Sequence, residues 1–142
     1  MIDHIYLPVK DIDRSLEFYD ALLTPLGLAH RWDFKGRDGW PDLYGFGGDG
    51  PGFWLKKSTA TCPELYVAFT ATSKAAVDNA YTAALANGGD DNGPPGPRPL
   101  FGDRYYAANL LDPDRYSLEI NFKPWLYEGP DLVSSRPQPT TN

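Results

Sequence analysis

Side chains that could bind or transform a small molecule share one face of several predicted strands. The strand at 2–9 alternates, and it places His4 and Tyr6 on the side opposite its apolar residues. Three further strands alternate in the same way and place more side chains on this face, which we call the cup face. These residues are Tyr66, Ala68, Thr70, Tyr105, Ala107, Asn109, Ser117, Glu119 and Asn121. If the sheets curve together, these residues line a cup, and an aromatic cup with a few polar groups is typical of a small-molecule site.

Glu119 is the strongest candidate for chemistry on the cup face, because an unpaired carboxylate there would be costly. It could form an ordinary ion pair with His4, or it could act as a catalytic or ligand-binding group. His4 could also be a simple hydrogen-bonded wall residue. Tyr66 and Tyr105 could orient a ligand through their hydroxyls, although tyrosines of this kind more often serve packing.

Other residues with chemical potential lack a supporting context. Cys62 precedes a strand and has no histidine near it in sequence, which argues against a nucleophile. The glycine-rich run at 45–52 does not lead into a helix that opens with Gly-Lys-Ser or Gly-Lys-Thr, so a phosphate cradle is not indicated.

The elements that position the cup face occur twice along the chain. His4 and Tyr66 are 62 residues apart, and Tyr19 and Tyr81 are separated by the same interval. Each half predicts the order strand, helix, strand, strand, strand, so we expect one duplicated domain. Asp11 and Ser73 are the predicted helix N-caps, and glycines at 27 and 88–89 end the two helices. The other predicted strands are 28–34, 41–46, 52–57, 64–71, 105–111 and 116–122, and 88–99 is predicted as a loop.

Composition limits the class of protein. A length of 142 residues suits one compact domain. The net charge of -6, from 19 acidic and 13 basic side chains, argues against nucleic acid or an anionic membrane as the main partner. A single cysteine, no evident signal peptide and no run of about 18 apolar residues predict a cytoplasmic protein.

The chain resembles the vicinal oxygen chelate superfamily, which includes glyoxalases, bleomycin resistance proteins and extradiol dioxygenases. The resemblance covers residues 1–125 and is carried by four pieces in the right order: MIDHIYLPVKDIDRSLEFYDALLTPLGL, GDGPGFWL, DDNGPPGPRP and YYAANLLDPDRYSLEINF. It implies an α+β fold of two βαβββ modules, at about 1–60 and 61–125, that form a cupped mixed sheet with helices on the outer face. Residues 126–142 are then a C-terminal extension with a flexible tail.

The resemblance also implies a place for a metal ion. Where the family binds one, the ligands lie on the first and last strands of each module. His4 and Glu119 stand at two of these positions and suit a divalent Zn, Ni, Fe or Mn ion. Tyr66 stands where metal-binding members have histidine, and the strand at 53–57 contains no His, Asp or Glu. Neutral tyrosine is a poor ligand, so we expect weak or absent metal affinity.

Two classes of function follow from the resemblance. If a metal is bound, Glu119 is a ligand that can also move a proton, in lyase, isomerase, dioxygenase or thiol-transfer chemistry. The alternative is a metal-free protein that sequesters a bulky, cationic drug in the cup, or uses the cup as a sensor. Fold alone does not decide between them. We also expect a homodimer, with Trp32, Trp40 and Trp125 as surface anchors.

Overall fold

The computed structural model describes residues 3–48, 51–62 and 64–128, and within these residues the two halves of the chain share one topology. The elements of the first half are β1 (Ile5–Val9), α1 (Ile12–Leu23), β2 (Ala29–Phe34), β3 (Leu43–Gly47) and β4 (Pro51–Lys57). Those of the second half are β5 (Tyr66–Thr70), α2 (Lys74–Ala86), β6 (Asp90–Asp91), β7 (Gly96–Pro97), β8 (Tyr106–Leu111) and β9 (Ser117–Phe122). The predicted duplicated α+β fold is confirmed.

Each module builds its own mixed sheet. The first sheet has the order β1-β4-β3-β2 and the second has β5-β9-β8-β6, with β7 also paired to β8. In both, the first strand of the module runs parallel to the last, and the remaining neighbours are antiparallel. The described strands therefore form two sheets rather than one continuous sheet, with β1 and β5 each at a sheet edge.

Both helices begin at the predicted caps. The Asp11 carboxylate accepts a hydrogen bond from the backbone N–H of Arg14 at 3.1 Å, and the Ser73 hydroxyl accepts one from Ala76 at 3.1 Å. After α1 a short 3₁₀ turn at Thr24–Leu26 leads to Gly27, whose φ of 80° lies in the left-handed region that glycine favours. No helix in the described ranges is long and apolar enough to cross a membrane.

The core lies between the helices and one face of each sheet. Leu7 and Leu55 of the first sheet are fully buried there, as are Leu118 and Ile120 of the second. On β9 the opposite face is itself buried at Glu119 and Asn121, whereas on β1 and β5 the predicted alternation leaves it more open to solvent. Tyr6, for example, is 44% exposed beside the buried Leu7. Period-two patterning has thus separated a packed face from the cup face.

The structure corrects the prediction for 88–99 and adjusts several boundaries. The segment predicted as a loop contains β6 and β7, which pair with β8 through Asp90 with Leu111 and Gly96 with Ala107. These two-residue strands have no alternation of their own, because the pairing is imposed by the neighbouring strand. β1 begins at Ile5, three residues after the predicted start, and the other strand ends lie within two residues of the predicted ones. Most of the predicted flexible tail, from 129 onward, lies outside the described residues.

Candidate functional site

Glu119 is the centre of a hydrogen-bonded cluster on the cup face of the second sheet. The pairing of β8 with β9 places it opposite Asn109. The Tyr66 hydroxyl donates to Glu119 Oε2 at 2.5 Å, and the Tyr105 hydroxyl donates to Oε1. Asn121 Nδ2 donates to the same Oε1 at 2.9 Å, and Asn109 Nδ2 donates to the Tyr66 hydroxyl at 3.1 Å. Both carboxylate oxygens are therefore engaged by donors from this chain.

These contacts fix the charge of the cluster. Burial works to raise the pKa of Glu119, which is 8% exposed, but the hydrogen bonds from Tyr105, Tyr66 and Asn121 outweigh it and hold the pKa below its ordinary value. Burial, together with the hydrogen bond to Glu119, raises the pKa of Tyr66 to about 12. The same causes raise the pKa of Tyr105. At neutral pH the cluster is one carboxylate and two neutral phenols.

The residues of this cluster do not fit a divalent metal. Tyr66 donates its proton to Glu119 instead of presenting an oxygen lone pair as an anionic ligand. Among the described residues, no group of three or more His, Cys, Asp or Glu side chains could hold a metal ion. His4 bonds through Nδ1 to Asp3 Oδ2 at 2.6 Å, and its ring meets the edge of Tyr6 at a centroid distance of 5.0 Å.

A second feature of the cup face is a groove on the first sheet, with a volume of about 540 Å³. Its aromatic members come from β1, β2, β4 and the connection between β2 and β3. The groove is lined by Tyr6, Phe34, Arg37, Asp38, Trp40, Leu43 and Trp54. Such a surface, largely apolar with two charged groups, suits a small organic molecule.

The structure brings some of the predicted site residues together and separates others. Tyr66, Tyr105, Asn109 and Glu119 form the single cluster described above. Tyr6 lies in the groove of the first sheet instead.

Several residues of these sites were not predicted as site residues, among them Asn121, Trp54 and Asp38. Asn121 was placed on the cup face without a role, and its spacing of two from Glu119 on one strand was the available signal. Trp54 and Asp38 were missed as groove residues. Alternation along 53–57 could have placed Trp54 on the cup face. No local pattern indicates that the turn around Asp38 lines the same groove as Trp54.

Comparisons with known proteins agree with this architecture. The sequence model of the Glyoxalase/Bleomycin resistance protein/Dioxygenase superfamily matches residues 1–120. A search of curated proteins gives no match. Among solved structures, a glyoxalase/bleomycin resistance protein from Albidiferax ferrireducens T118 is 26% identical, with a TM-score of 0.71, over 85% of this chain and 98% of that one.

Two further structures share the fold at lower identity. A glyoxalase/bleomycin resistance protein/dioxygenase family enzyme from Burkholderia phytofirmans PsJN is 19% identical, with a TM-score of 0.62, over 85% of this chain and 97% of that one. The V278E mutant of glyoxalase I from Zea mays is 20% identical, with a TM-score of 0.63, over 84% of this chain and 43% of that one. The match of the family model to residues 1–120 shows that the chain belongs to the glyoxalase/bleomycin resistance protein/dioxygenase superfamily.

Proposed function

We propose that this protein binds a small organic ligand on its cup face without the help of a metal ion. The observation that carries the proposal is the state of Glu119, whose two oxygens accept hydrogen bonds from Tyr66, Tyr105 and Asn121. A metal ion would have to displace at least one of these donors. Of the other positions where the family places metal ligands, on the first and last strands of each module, only the one at His4 holds a conventional ligand. The free energy of metal binding is therefore too small to compensate for the lost hydrogen bond.

In this role Glu119 orients the tyrosines. Tyr66 is 52% exposed, while Glu119, which accepts its hydrogen bond, is 8% exposed. A ligand on the second sheet therefore meets the aromatic ring and the amide of Asn109 before it meets the charge. Together with the groove on the first sheet, these surfaces hold an organic molecule by burial and stacking, which needs no Lewis acid.

The competing function is metal-assisted lyase or dioxygenase chemistry, with His4 and Glu119 as ligands. Titration calorimetry with Zn²⁺, Ni²⁺, Mn²⁺ and Fe²⁺ separates the two. We expect no binding by the wild type at micromolar concentrations. Tyr66→His should gain measurable affinity, because it supplies a neutral imidazole beside a carboxylate from which one donor has been removed.

Tyr66→Phe is the matched control, because it removes the same donor without supplying a ligand, and it should remain unable to bind metal. Tight binding of any of the four ions by the wild type, abolished in Glu119→Gln, would show that the metal-dependent function is correct. Equilibrium dialysis against a panel of aromatic compounds in the presence of EDTA tests whether an organic ligand binds without a metal ion. Binding that appears only when metal replaces EDTA would contradict the proposal.

A further inference from the structure

We propose that the groove on the first sheet is a stacking site for a planar aromatic cation, with the indole of Trp54 as its platform. The inference rests on the proposed function and names the class of ligand. The groove residues belong to the first module alone, whereas the Glu119 cluster belongs to the second. The two features can therefore be tested separately.

The position of Trp54 is set by a glycine on the neighbouring strand. Gly45 of β3 pairs with Trp54 of β4. A Cβ atom built on Gly45 would lie 2.8 Å from Cζ3 of the indole and 3.0 Å from Cε3 and Cη2. Three ring atoms at nearly equal distance mean that the ring lies flat over the glycine. The sheet supports one face of the indole, and the other face lines the groove.

Other aromatic side chains complete the walls. Tyr6 lies beside Trp54, with ring centroids 6.4 Å apart and planes inclined at 34°. Trp40, which is 66% exposed, and Phe34, which is 37% exposed, bring two more rings to the groove. A volume of about 540 Å³ accommodates a fused ring system of drug-like size.

A tight turn brings charge to the rim of the groove. The backbone N–H of Trp40 donates to the carbonyl of Arg37 at 3.0 Å, and the two residues between them have positive φ, 56° at Asp38 and 87° at Gly39. This is a type I′ turn. Its base is held by a hydrogen bond from the N–H of Gly36 to Asp42 Oδ1 at 2.8 Å. The turn therefore holds Asp38 and Trp40 in a defined place.

The charges favour a cation. Asp38 lines the groove, and neither it nor Arg37 forms an ion pair with another described residue. The faces of Trp and Tyr rings carry negative potential, which attracts cations and adds to the effect of Asp38. The net charge of -6 works in the same direction at long range. The positive charge of Arg37 disfavours a cation, so substitutions at Asp38 and Arg37 should change the affinity in opposite directions.

The test uses proflavine, a planar tricyclic cation, in EDTA-containing buffer with fluorescence anisotropy as the readout. Gly45→Ala should lift the indole into the groove and weaken binding about tenfold, since stacked aromatic pairs contribute about 0.5–1.5 kcal/mol beyond burial. Gly48→Ala is the matched control, because a Cβ at that glycine meets nothing within 4 Å. Trp54→Leu should weaken binding by a similar factor, and thermal unfolding checks that each variant is folded.

Charge variants complete the experiment. Asp38→Asn should weaken proflavine binding and Arg37→Gln should strengthen it, each by about two- to fivefold because both side chains are exposed. Equal affinity for the anion 8-anilinonaphthalene-1-sulfonate would overturn the preference for a cation. Wild-type affinity in folded Gly45→Ala and Trp54→Leu proteins, or no binding of proflavine by the wild type, would overturn the stacking site. None of these results alters the metal titrations that test the proposed function.

Discussion

At the scale of single residues, the cup face depends on how Glu119 keeps its charge in a nearly buried position. A carboxylate removed from water needs donors, and Tyr66, Tyr105 and Asn121 supply them. Tyr66 has the largest effect on what the cluster can bind, because a histidine at the same place would offer a lone pair to a metal. Its phenol instead offers a proton to the carboxylate. One side chain thus changes what the whole cluster can bind.

Removal of the Tyr105 hydroxyl should expose this dependence. Tyr105→Phe takes one charge-assisted hydrogen bond from Glu119, and we expect a loss of about 1–2 kcal/mol in the free energy of unfolding near pH 7. The pKa of Glu119 is depressed in the folded protein, so its stabilising contribution is present above the unfolded-state pKa and is lost as pH falls through the folded-state value. The cost of the substitution should therefore shrink as the pH falls below the ordinary carboxyl range. Urea unfolding at several pH values measures it.

Tyr106→Phe is the control for this experiment, since the neighbouring hydroxyl donates to the exposed Asp78 at 2.8 Å. It should cost under about 0.5 kcal/mol. A cost for Tyr105→Phe that is the same at both ends of the pH range would show that the ring or its packing, and not the hydrogen bond to an ionised Glu119, stabilises the fold.

At the scale of elements, alternation and capping could be predicted from the sequence where they are local. β1 and β5 alternate strictly, and Asp11 and Ser73 precede clear helical stripes, so their faces and starts were predictable. The strands β6 and β7 were not, because two residues carry no period and their pairing is determined by β8. The groove was missed for a related reason. It depends on contact between Gly45 and Trp54 across two strands, which no local pattern encodes.

The two helices contain tyrosines at equivalent places in the repeat, and the structure gives them different environments. The hydroxyl of Tyr19 is fully buried and donates to Asp112 Oδ2 at 2.7 Å in the turn between β8 and β9. The hydroxyl of Tyr81 donates to the exposed Asp91 at 2.8 Å. The bond from Tyr19 therefore ties α1 of the first module to the second module.

This difference predicts unequal costs for the same substitution. Tyr19→Phe leaves the carboxylate of Asp112, which is 1% exposed, without one of its donors and should cost about 1–3 kcal/mol in unfolding free energy. Tyr81→Phe should cost less than about 0.5 kcal/mol, since water replaces the lost donor. Denaturant unfolding of both variants gives the comparison. Equal effects would show that the bond between α1 and the Asp112 turn contributes no more than a surface contact.

At the scale of the whole molecule, the two modules are joined by polar contacts as well as by the core. The Tyr116 hydroxyl donates to the carbonyl of Pro8 at 2.6 Å, and Asp114 accepts from the backbone N–H of Lys10 at 3.2 Å. The rings of Phe53 and Phe69 meet at a centroid distance of 5.3 Å. The two hydrogen bonds join segments about 100 residues apart, which is why the repeat interval predicts the modules but not how they meet.

An exposed apolar surface supports the prediction that the protein forms a homodimer. Leu100 is 89% exposed and Phe101 is 60% exposed on the 3₁₀ turn after Arg98. The ring centroid of Phe101 lies 5.6 Å from that of Tyr105, which lies 6.3 Å from that of Trp125, so two partly exposed aromatic rings adjoin the exposed pair. Exposed patches of this kind mark contacts between proteins. We expect light scattering at micromolar concentration to give about twice the chain mass of 15.8 kDa.

Two variants locate the interface. Leu100→Ser combined with Phe101→Ser should return the mass to that of one chain, because hydroxyl groups replace the apolar anchors and weaken association. Trp40, which the sequence suggested as an interface anchor, lies in the groove of the first sheet, so Trp40→Ser should leave the dimer intact. A monomer produced by Trp40→Ser alone would move the interface to the groove, where it would compete with the aromatic ligand. A wild type that scatters as a lone 15.8 kDa chain would remove the dimer altogether.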